Sequence, residues 1–417
     1  MKVLVIGGGG REHAVCLALS RSKRVTRLLC APGNGGIASV AECVPIAATD
    51  VPALVRYAKE NTVDFVVVTP DDPLALGLVD ALEEAGVKAF GPRKNAAIIE
   101  SSKVFSKNLM RKYGIPTAEY EVFTDLEAAE AYIREKGAPI VVKADGLALG
   151  KGVVVAETVE EALNAARAMM RDKKFGESGS RVVIEERMTG PEVTVLAFTD
   201  GKTIRPMPSS QDHKRVFDGN RGPNTGGMGA FTPSPHYTPE IAQVCMETIF
   251  RPTIEAMNKE GRPFKGVIYF GLMLTPNGPR VVEYNARFGD PEAQPLLTLL
   301  ETDLLDIFEA VREERLHEID IRFRDEAACC VVMASGGYPG VYEKGFEITG
   351  LDKVPEDIIV YHAGTTFDGK AYRTNGGRVL GVTATGPTLE KAVERAYDGV
   401  ERIAFKNMHY RKDIGRI

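Results

Sequence analysis

The sequence predicts a multidomain chain in which an α/β part built on a parallel sheet precedes parts of mixed α+β character. Three observations carry this. A chain of 417 residues is too long for one core and suits two to four domains. Its first hundred residues alternate near-continuous apolar runs with amphipathic segments, the pattern of parallel strands covered on both faces by helices. From Thr117 onward strands and helices mix without that regular alternation.

Taken in order, Val3–Ile6, Val25–Leu29 and Asp64–Val68 read as strands, and Glu12–Ser20, Val51–Glu60 and Leu74–Glu84 as helices. Gly91-Pro92-Arg93 marks a boundary, after which a helical pattern resumes from Ser101 to Tyr113. Strands follow at 139–143, 152–156 and 181–186, with a helix at 159–171. Residues 206–235 are polar, rich in Gly, Pro and Asn, and aperiodic; so long a stretch in a compact protein predicts a functional loop or lid. A helix at 239–258, strands at 266–274 and 280–285, and helices to about 315 come next. The tail carries strands at 329–333, 360–363 and 379–383 and a helix at 388–402.

Composition excludes several classes. Hydrophobic content of 44% and charged content of 26% are ordinary for a soluble globular enzyme. A net charge of −5 gives no bulk attraction to nucleic acid or to an anionic membrane. The six cysteines form no Cys-x-x-Cys pair and read as reduced thiols; the six scattered histidines argue against a zinc site. Lys2–Ile6 is too short an apolar run for a signal peptide, and no stretch reaches membrane-spanning length. The expectation is a cytoplasmic protein.

The most informative motif is Val281-Val282-Glu283-Tyr284-Asn285-Ala286-Arg287-Phe288-Gly289-Asp290-Pro291-Glu292. It opens as a strand, so Glu283, Asn285 and Arg287 share one face. A carboxylate and an amide oxygen there are hard donors suited to Mg²⁺ carrying a nucleotide phosphate, and the Arg287 fork beside them can hold a carboxylate or phosphate. The alternative is an edge strand with a solvated polar face. Gly7–Gly10 between a strand and a helix can admit an anion to backbone N–H groups. A dinucleotide fingerprint fails on spacing, since the third glycine position holds Glu12 counted from Gly7 and His13 counted from Gly8. A different phosphate, with Arg11 as charge partner, fits better; a plain tight turn is the other option. Lys143 ends a strand before a small-residue loop running to Gly150, Lys151 and Gly152. It lacks the hydroxyl residue of a Walker loop, and reads either as a cover for a triphosphate or as a surface hairpin. Glu185, Glu186 and Glu192 near a strand end could meet an adenosine or simply be solvated. Asp212-His213-Lys214-Arg215 beside Gly222–Gly229 looks like the lining of a polar ligand site, with a purely structural His213 as the alternative.

In this order the motifs resemble the ATP-grasp ligases, and within them the glycinamide ribonucleotide synthetase (phosphoribosylamine–glycine ligase) family. The carrying segments are Gly8–His13, Ala31–Asn34, Lys143–Ala148, Gln211–Arg215, Gly222–Gly229 and Arg287–Glu292, with Gly336–Gly340, His362–Thr365, Thr374–Arg378 and Arg411–Gly415 in the tail. The resemblance implies an ATP-grasp fold with an N-terminal parallel-sheet, Rossmann-like (preATP-grasp) domain at 1–101. An ATP-grasp domain at 102–326 would follow, with a small lid at about 122–192, and then a small C-terminal mixed α/β domain at 327–417. It implies a reaction joining glycine to 5-phosphoribosylamine through a glycyl phosphate in purine biosynthesis, with ATP and Mg²⁺, or Mn²⁺ in its place. Glu283 and Asn285 would hold the metal. Lys103, Lys143, Gly150, Lys151 and Gly152 would meet the phosphates, and Glu185, Glu186 and Glu192 the adenosine. Arg287, Asp212, Lys214 and Asp290 would serve glycine and the reacting phosphoryl group, and Gly9, Gly10, Arg11, Glu12 and Gly289 the ribose 5-phosphate. A monomer in transient contact with the enzyme that makes phosphoribosylamine is expected. Two departures stand out. The strand Val267–Met273 carries no acidic metal ligand, which relatives in the superfamily often place there. Thr69-Pro70-Asp71 replaces the family's usual Gly-Pro-Glu.

Overall fold

The computed structural model describes residues 1–147, 152–172 and 179–416. Its first unit is a five-stranded parallel sheet with Lys2–Gly7 at the centre. Arg27–Pro32 and then Glu42–Cys43 lie to one side, Phe65–Val68 and Lys88–Phe90 to the other. Val3, Leu4, Val5 and Ile6 are wholly buried, as a central strand sandwiched by helices requires. The expected single helix at 74–84 is two, Asp71–Leu76 and Leu78–Glu84. Gly77 between them adopts φ +88°, a left-handed conformation that ends the first helix's hydrogen-bond ladder. A further helix, Lys94–Ser101, occupies the stretch where only a boundary was expected.

Two antiparallel sheets follow. The smaller runs Tyr120–Phe123, Val182–Glu186, Ile140–Ala144, Val153–Ala156 in spatial order and has its own apolar core with helices Leu126–Lys136 and Val159–Met170. The larger runs Ile204–Pro206, Glu192–Thr199, Gly266–Thr275, Gly278–Asn285. Strand Glu192–Thr199 has no counterpart in the sequence reading; its residues 193–199 are buried, so it carries no amphipathic alternation. One apolar cluster joins this sheet to the parallel one, running from Leu4, Ile6 and Val66 to Val195, Ile268 and Phe270.

The stretch 206–235 is not an aperiodic lid. It contains strands Gln211–Asp212, Arg215–Phe217, Arg221–Asn224 and Gly229–Thr232. Gly229–Thr232 pairs antiparallel with Ala327–Ser335, inside a sheet completed by Arg378–Gly386 and Ile359–His362 and backed by helix Leu389–Arg402. Strands of two to four residues are too short to show a period, and only Gly229–Thr232 among them pairs with a partner about a hundred residues away; Arg215–Phe217 and Arg221–Asn224 pair with each other. The consequence for function is direct: Asp212 and Lys214 hang from a segment clamped between two domains.

Candidate active site

The smaller sheet presents Lys143 from strand Ile140–Ala144. Its ammonium pairs with Glu185, whose other oxygen lies 2.6 Å from Lys107 Nζ; the three side chains are 3–5% exposed. Glu185 therefore does not stand open to an adenosine as expected: it is enclosed between two lysines and fixes where they point. Burial would raise its pKa, yet Lys143 and Lys107 hold it below the usual range, while burial pulls Lys107 down to about 8. Lys103 opens helix Lys103–Tyr113 and donates to Gly146 O at 2.8 Å. That helix start, capped by Ser102, also receives the Asp145 carboxylate, which accepts from Val104 N and Ser102 Oγ at 3.1 Å and meets Arg181 at 2.5 Å. The root of the loop is thus tied to the helix dipole. Gly150 and Lys151 lie outside the described residues; the Gly152 carbonyl accepts from Ala144 N at 2.8 Å. Glu186 pairs with Arg280 at 2.7 Å near the rim, and Glu192 with Lys214 at 3.1 Å.

Across the cleft, strand Gly278–Asn285 sets Glu283 opposite Gly271 and Asn285 opposite Tyr269, next to a register shift at Gly271/Leu272. The Glu283 side chain keeps 34% of its surface exposed at the cleft, 3.7 Å from Lys214 Nζ. Burial would raise its pKa, but Lys214, Lys143, Lys103 and Arg287 together hold it low, so it is anionic and faces cations from the smaller sheet, from helix Lys103–Tyr113, from the Asp212–Lys214 segment and from just beyond the end of its own strand. Asn285 turns its NH₂ toward Glu100 Oε1 (3.0 Å) and Tyr284 O (3.1 Å), the one orientation that sets donors against acceptors. Arg287 Nη2 meets Glu100 Oε1 at 2.8 Å and its Nη1 donates to Phe288 O at 3.2 Å, leaving Nε buried and unpartnered. Asp212 is pushed up to about 7 by burial, opposed by Lys214 and reinforced by Glu292, Glu192 and Glu283. Lys214 is held well above its ordinary range: burial opposes this, but Glu192, Asp212 and Glu283 outweigh it. His213 packs on Phe231 with ring centroids 5.9 Å apart.

Among the described residues no group of three or more His, Cys, Asp or Glu side chains could hold a metal ion. Glu283 and Asn285 still fit Mg²⁺: they offer hard oxygens on one strand face, and an ion that takes the rest of its octahedron from phosphates and water needs few protein ligands.

At the far end, Gly9 precedes helix Gly10–Ser20. Glu12 reaches back to accept from Gly9 N at 2.7 Å, and its other oxygen meets Arg11 Nε at 2.6 Å and Thr69 Oγ1 at 2.8 Å. Arg11 also donates to Phe288 O at 3.2 Å. Both side chains are buried, so Arg11 and Glu12 shape the glycine loop from behind rather than projecting to a ligand as expected. The Thr69 hydroxyl supplies a contact to Glu12 that a glycine there could not. A Cβ on Gly10 would lie 2.6 Å from Gln294 Nε2, one on Gly9 would lie 3.4 Å from Asp290 Oδ2, and one on Gly289 2.8 Å from Glu292 Cδ. Asp290 accepts from Gln294 at 2.8 Å and pairs with Arg378 at 3.1 Å; Arg378 also donates to Asp290 O and Gly226 O. Asn34 bridges Gly8 O and His362 O at 2.9 and 2.8 Å. Three domains meet here.

Sequence reasoning missed Glu100, Lys107, Glu292 and Arg378 as members of the site. Lys107 was findable, one helical turn beyond Lys103 on the same face. Glu292 and Arg378 stand in recognised segments without an assigned role. Nothing local marks Glu100.

Two antiparallel sheets facing each other across a lysine-lined cleft, with oxygen donors on the last strand of the larger one, define the ATP-grasp class. The biotin carboxylase domain of Hydrogenobacter thermophilus 2-oxoglutarate carboxylase, solved with MgADP and bicarbonate, shares this fold at TM-score 0.76 and 17% identity over 98% of this chain and 91% of that one. Family models for phosphoribosylglycinamide synthetase match residues 1–100 (N domain), 101–293 (ATP-grasp domain) and 328–417 (C domain), and the chain belongs to that family. The crystal structure of phosphoribosylamine–glycine ligase from Thermotoga maritima is similar at TM-score 0.85 and 33% identity, covering 99% of this chain and all of that one. The phosphoribosylamine–glycine ligase of Caldanaerobacter subterraneus is 48% identical over 99% of both chains. The trifunctional purine biosynthetic protein adenosine-3 of Gallus gallus is 50% identical over 99% of this chain and 42% of its own length.

Proposed function

We propose that the chain joins glycine to 5-phosphoribosylamine, giving glycinamide ribonucleotide, ADP and phosphate. The observation that carries this is that Glu283, on the strand that also bears Asn285, is held anionic by Lys214, Lys143, Lys103 and Arg287 together, in a chain matched over 99% of its length by a ligase of this family. A free carboxylate is a poor electrophile, so glycine's carboxylate first takes the γ-phosphoryl group, and the ribosylamine nitrogen then displaces phosphate from the acyl carbon. The protein's part is positioning and charge neutralisation. Glu283 and Asn285 would hold Mg²⁺, or Mn²⁺ in its place, and the ion would supply charge neutralisation to phosphate oxygens. Lys143 and Lys103 bring ammonium groups to the transferred phosphoryl group, and Glu185 with Lys107 keeps Lys143 aimed. Glu186 and Glu192 line the adenosine side. Arg287 orients the glycine carboxylate, and Lys214 with Asp212 lies where the acyl phosphate forms. Gly9, Gly10 and Gly289 cradle the ribose 5-phosphate against the end that Asp290 and Arg378 close.

No helix of the described residues is long and apolar enough to cross a membrane. A cytoplasmic monomer that meets the phosphoribosylamine-producing enzyme only transiently completes the reading, and sedimentation of the pure chain tests the monomer. The deciding assay is ADP release with ATP, Mg²⁺ and phosphoribosylamine on adding glycine, bicarbonate or neither. Release that depends on glycine supports the proposal; release with bicarbonate alone, or no dependence on either, overturns it.

A further inference from the structure

We propose that Glu100 is the positioning residue of this centre: it decides which atom of the Asn285 amide faces the metal, and it holds the Arg287 fork beside it. This rests on the assignment of Glu283 and Asn285 as metal ligands. Glu100 sits in the last turn of helix Lys94–Ser101, in the segment joining the parallel sheet to the ATP-grasp lobes, and its side chain is 7% exposed. Three consecutive residues of the site strand and its continuation end on this one carboxylate. Oε2 accepts from Ala286 N at 2.7 Å, and Oε1 meets Arg287 Nη2 at 2.8 Å and the Asn285 amide nitrogen at 3.0 Å.

A carboxylate only accepts hydrogen bonds, so the Asn285 NH₂ must turn to it and the amide oxygen must turn away. An amide is nearly symmetric in shape, and without Glu100 only the longer contact to the Tyr284 carbonyl at 3.1 Å would favour an oxygen over an NH₂ at the metal's position. An NH₂ there cannot ligate a hard cation. The same carboxylate takes one arm of Arg287, which fixes the plane of the guanidinium and hence the direction of its remaining N–H groups. Glu100 touches no reacting atom in this scheme. It acts through Asn285 and Arg287.

A merely structural Glu100 would not give the following pattern of metal binding. In Glu100→Gln the new amide can donate to Asn285, turning the Asn285 oxygen inward and its NH₂ toward the metal. Mn²⁺ affinity in the presence of ADP, read from the electron paramagnetic resonance of free Mn²⁺, should fall about tenfold or more. The KM for glycine should rise with it. Asn285→Asp alone sets two carboxylates against each other and should also weaken Mn²⁺. In the double variant Glu100→Gln/Asn285→Asp, the Gln amide donates to one Asp oxygen and the other faces the metal whichever way the group turns. Mn²⁺ affinity should then return to within a few-fold of the parent. Should Glu100→Gln not fold, the double variant must still bind Mn²⁺ more tightly than Asn285→Asp. Parent-like affinity in Glu100→Gln, or a double variant no better than either single, overturns the positioning role. Glu283→Gln is measured alongside: if it too retains parent affinity, the metal site itself is misplaced, whereas a loss there confines any failure to Glu100.

Discussion

Replacing Glu185 by Gln removes the only negative charge from a buried triad and leaves two ammonium groups, Lys107 and Lys143, facing each other. The three side chains are 3–5% exposed, so water screens little of the repulsion. Breaking a buried ion pair by removing one partner costs about 3–5 kcal/mol, far more than any exposed pair is worth. The loss should depend on pH in a defined direction. Lys107 already titrates at about 8 with Glu185 beside it, because burial disfavours its charge. Without Glu185 it titrates lower still. Between that lowered value and 8 the variant's unfolded chain holds a proton that its folded form has lost, so its stability rises with pH relative to the parent. The gap should close by about 1.4 kcal/mol per pH unit as pH approaches 8, then stay level once Lys107 is neutral in both proteins. Urea unfolding of both proteins at a series of pH values reads this directly. Calorimetry with ATP should show about tenfold weaker binding, since Lys143 loses the partner that aims it. A stability gap under about 1 kcal/mol that is flat in pH would refute the reasoning.

Glu283→Gln keeps the shape of the strand but removes the charge facing Lys214, and turnover should fall at least about 10²-fold even at saturating Mg²⁺; near-normal turnover sinks the metal assignment. Arg287→Lys should cut glycine-dependent ADP release strongly while ATP affinity by calorimetry stays nearly intact, since a point charge cannot serve Glu100, Phe288 O and a substrate carboxylate together; a parallel fall in both would assign Arg287 to the nucleotide or the fold. Burial pushes His13 down to about 3, with His362 adding to the shift, and pushes His362 down to about 4. The unfolded chain takes up both protons near pH 6.5 and the folded one does not, so stability is full above that pH and lost as pH falls toward 4. The loss should be about 3–4 kcal/mol between pH 6.5 and 5, and a His13→Gln/His362→Gln variant should show a flatter profile.

Strand Lys2–Gly7, the glycine loop after it and the Glu283–Asn285–Arg287 alternation were legible because each is a local pattern. An apolar run, a turn that needs glycine and a period of two are set within a few neighbours. The sequence by itself therefore determined the parallel sheet, the order of the chemistry-bearing segments and the strand face shared by Glu283 and Asn285, the proposed metal donors. It did not determine what those donors touch. Lys143 and Glu185 are 42 residues apart, Glu100 reaches Ala286 across 186, and Arg378 reaches Asp290 across 88. No local signal marks such partners, because a buried charge is chosen by whatever the fold brings beside it. The same holds for Gly229–Thr232, four residues in a glycine-rich stretch and too short to show a period, which becomes an interior strand by pairing with Ala327–Ser335 and Gln211–Asp212. Tertiary structure alone enclosed Glu185 between two lysines, turned Arg11 and Glu12 inward and placed Glu100 behind Asn285. Hydrogen-bond donors and charges removed from water must be matched by nearby groups, and only the folded chain fixes which groups are near.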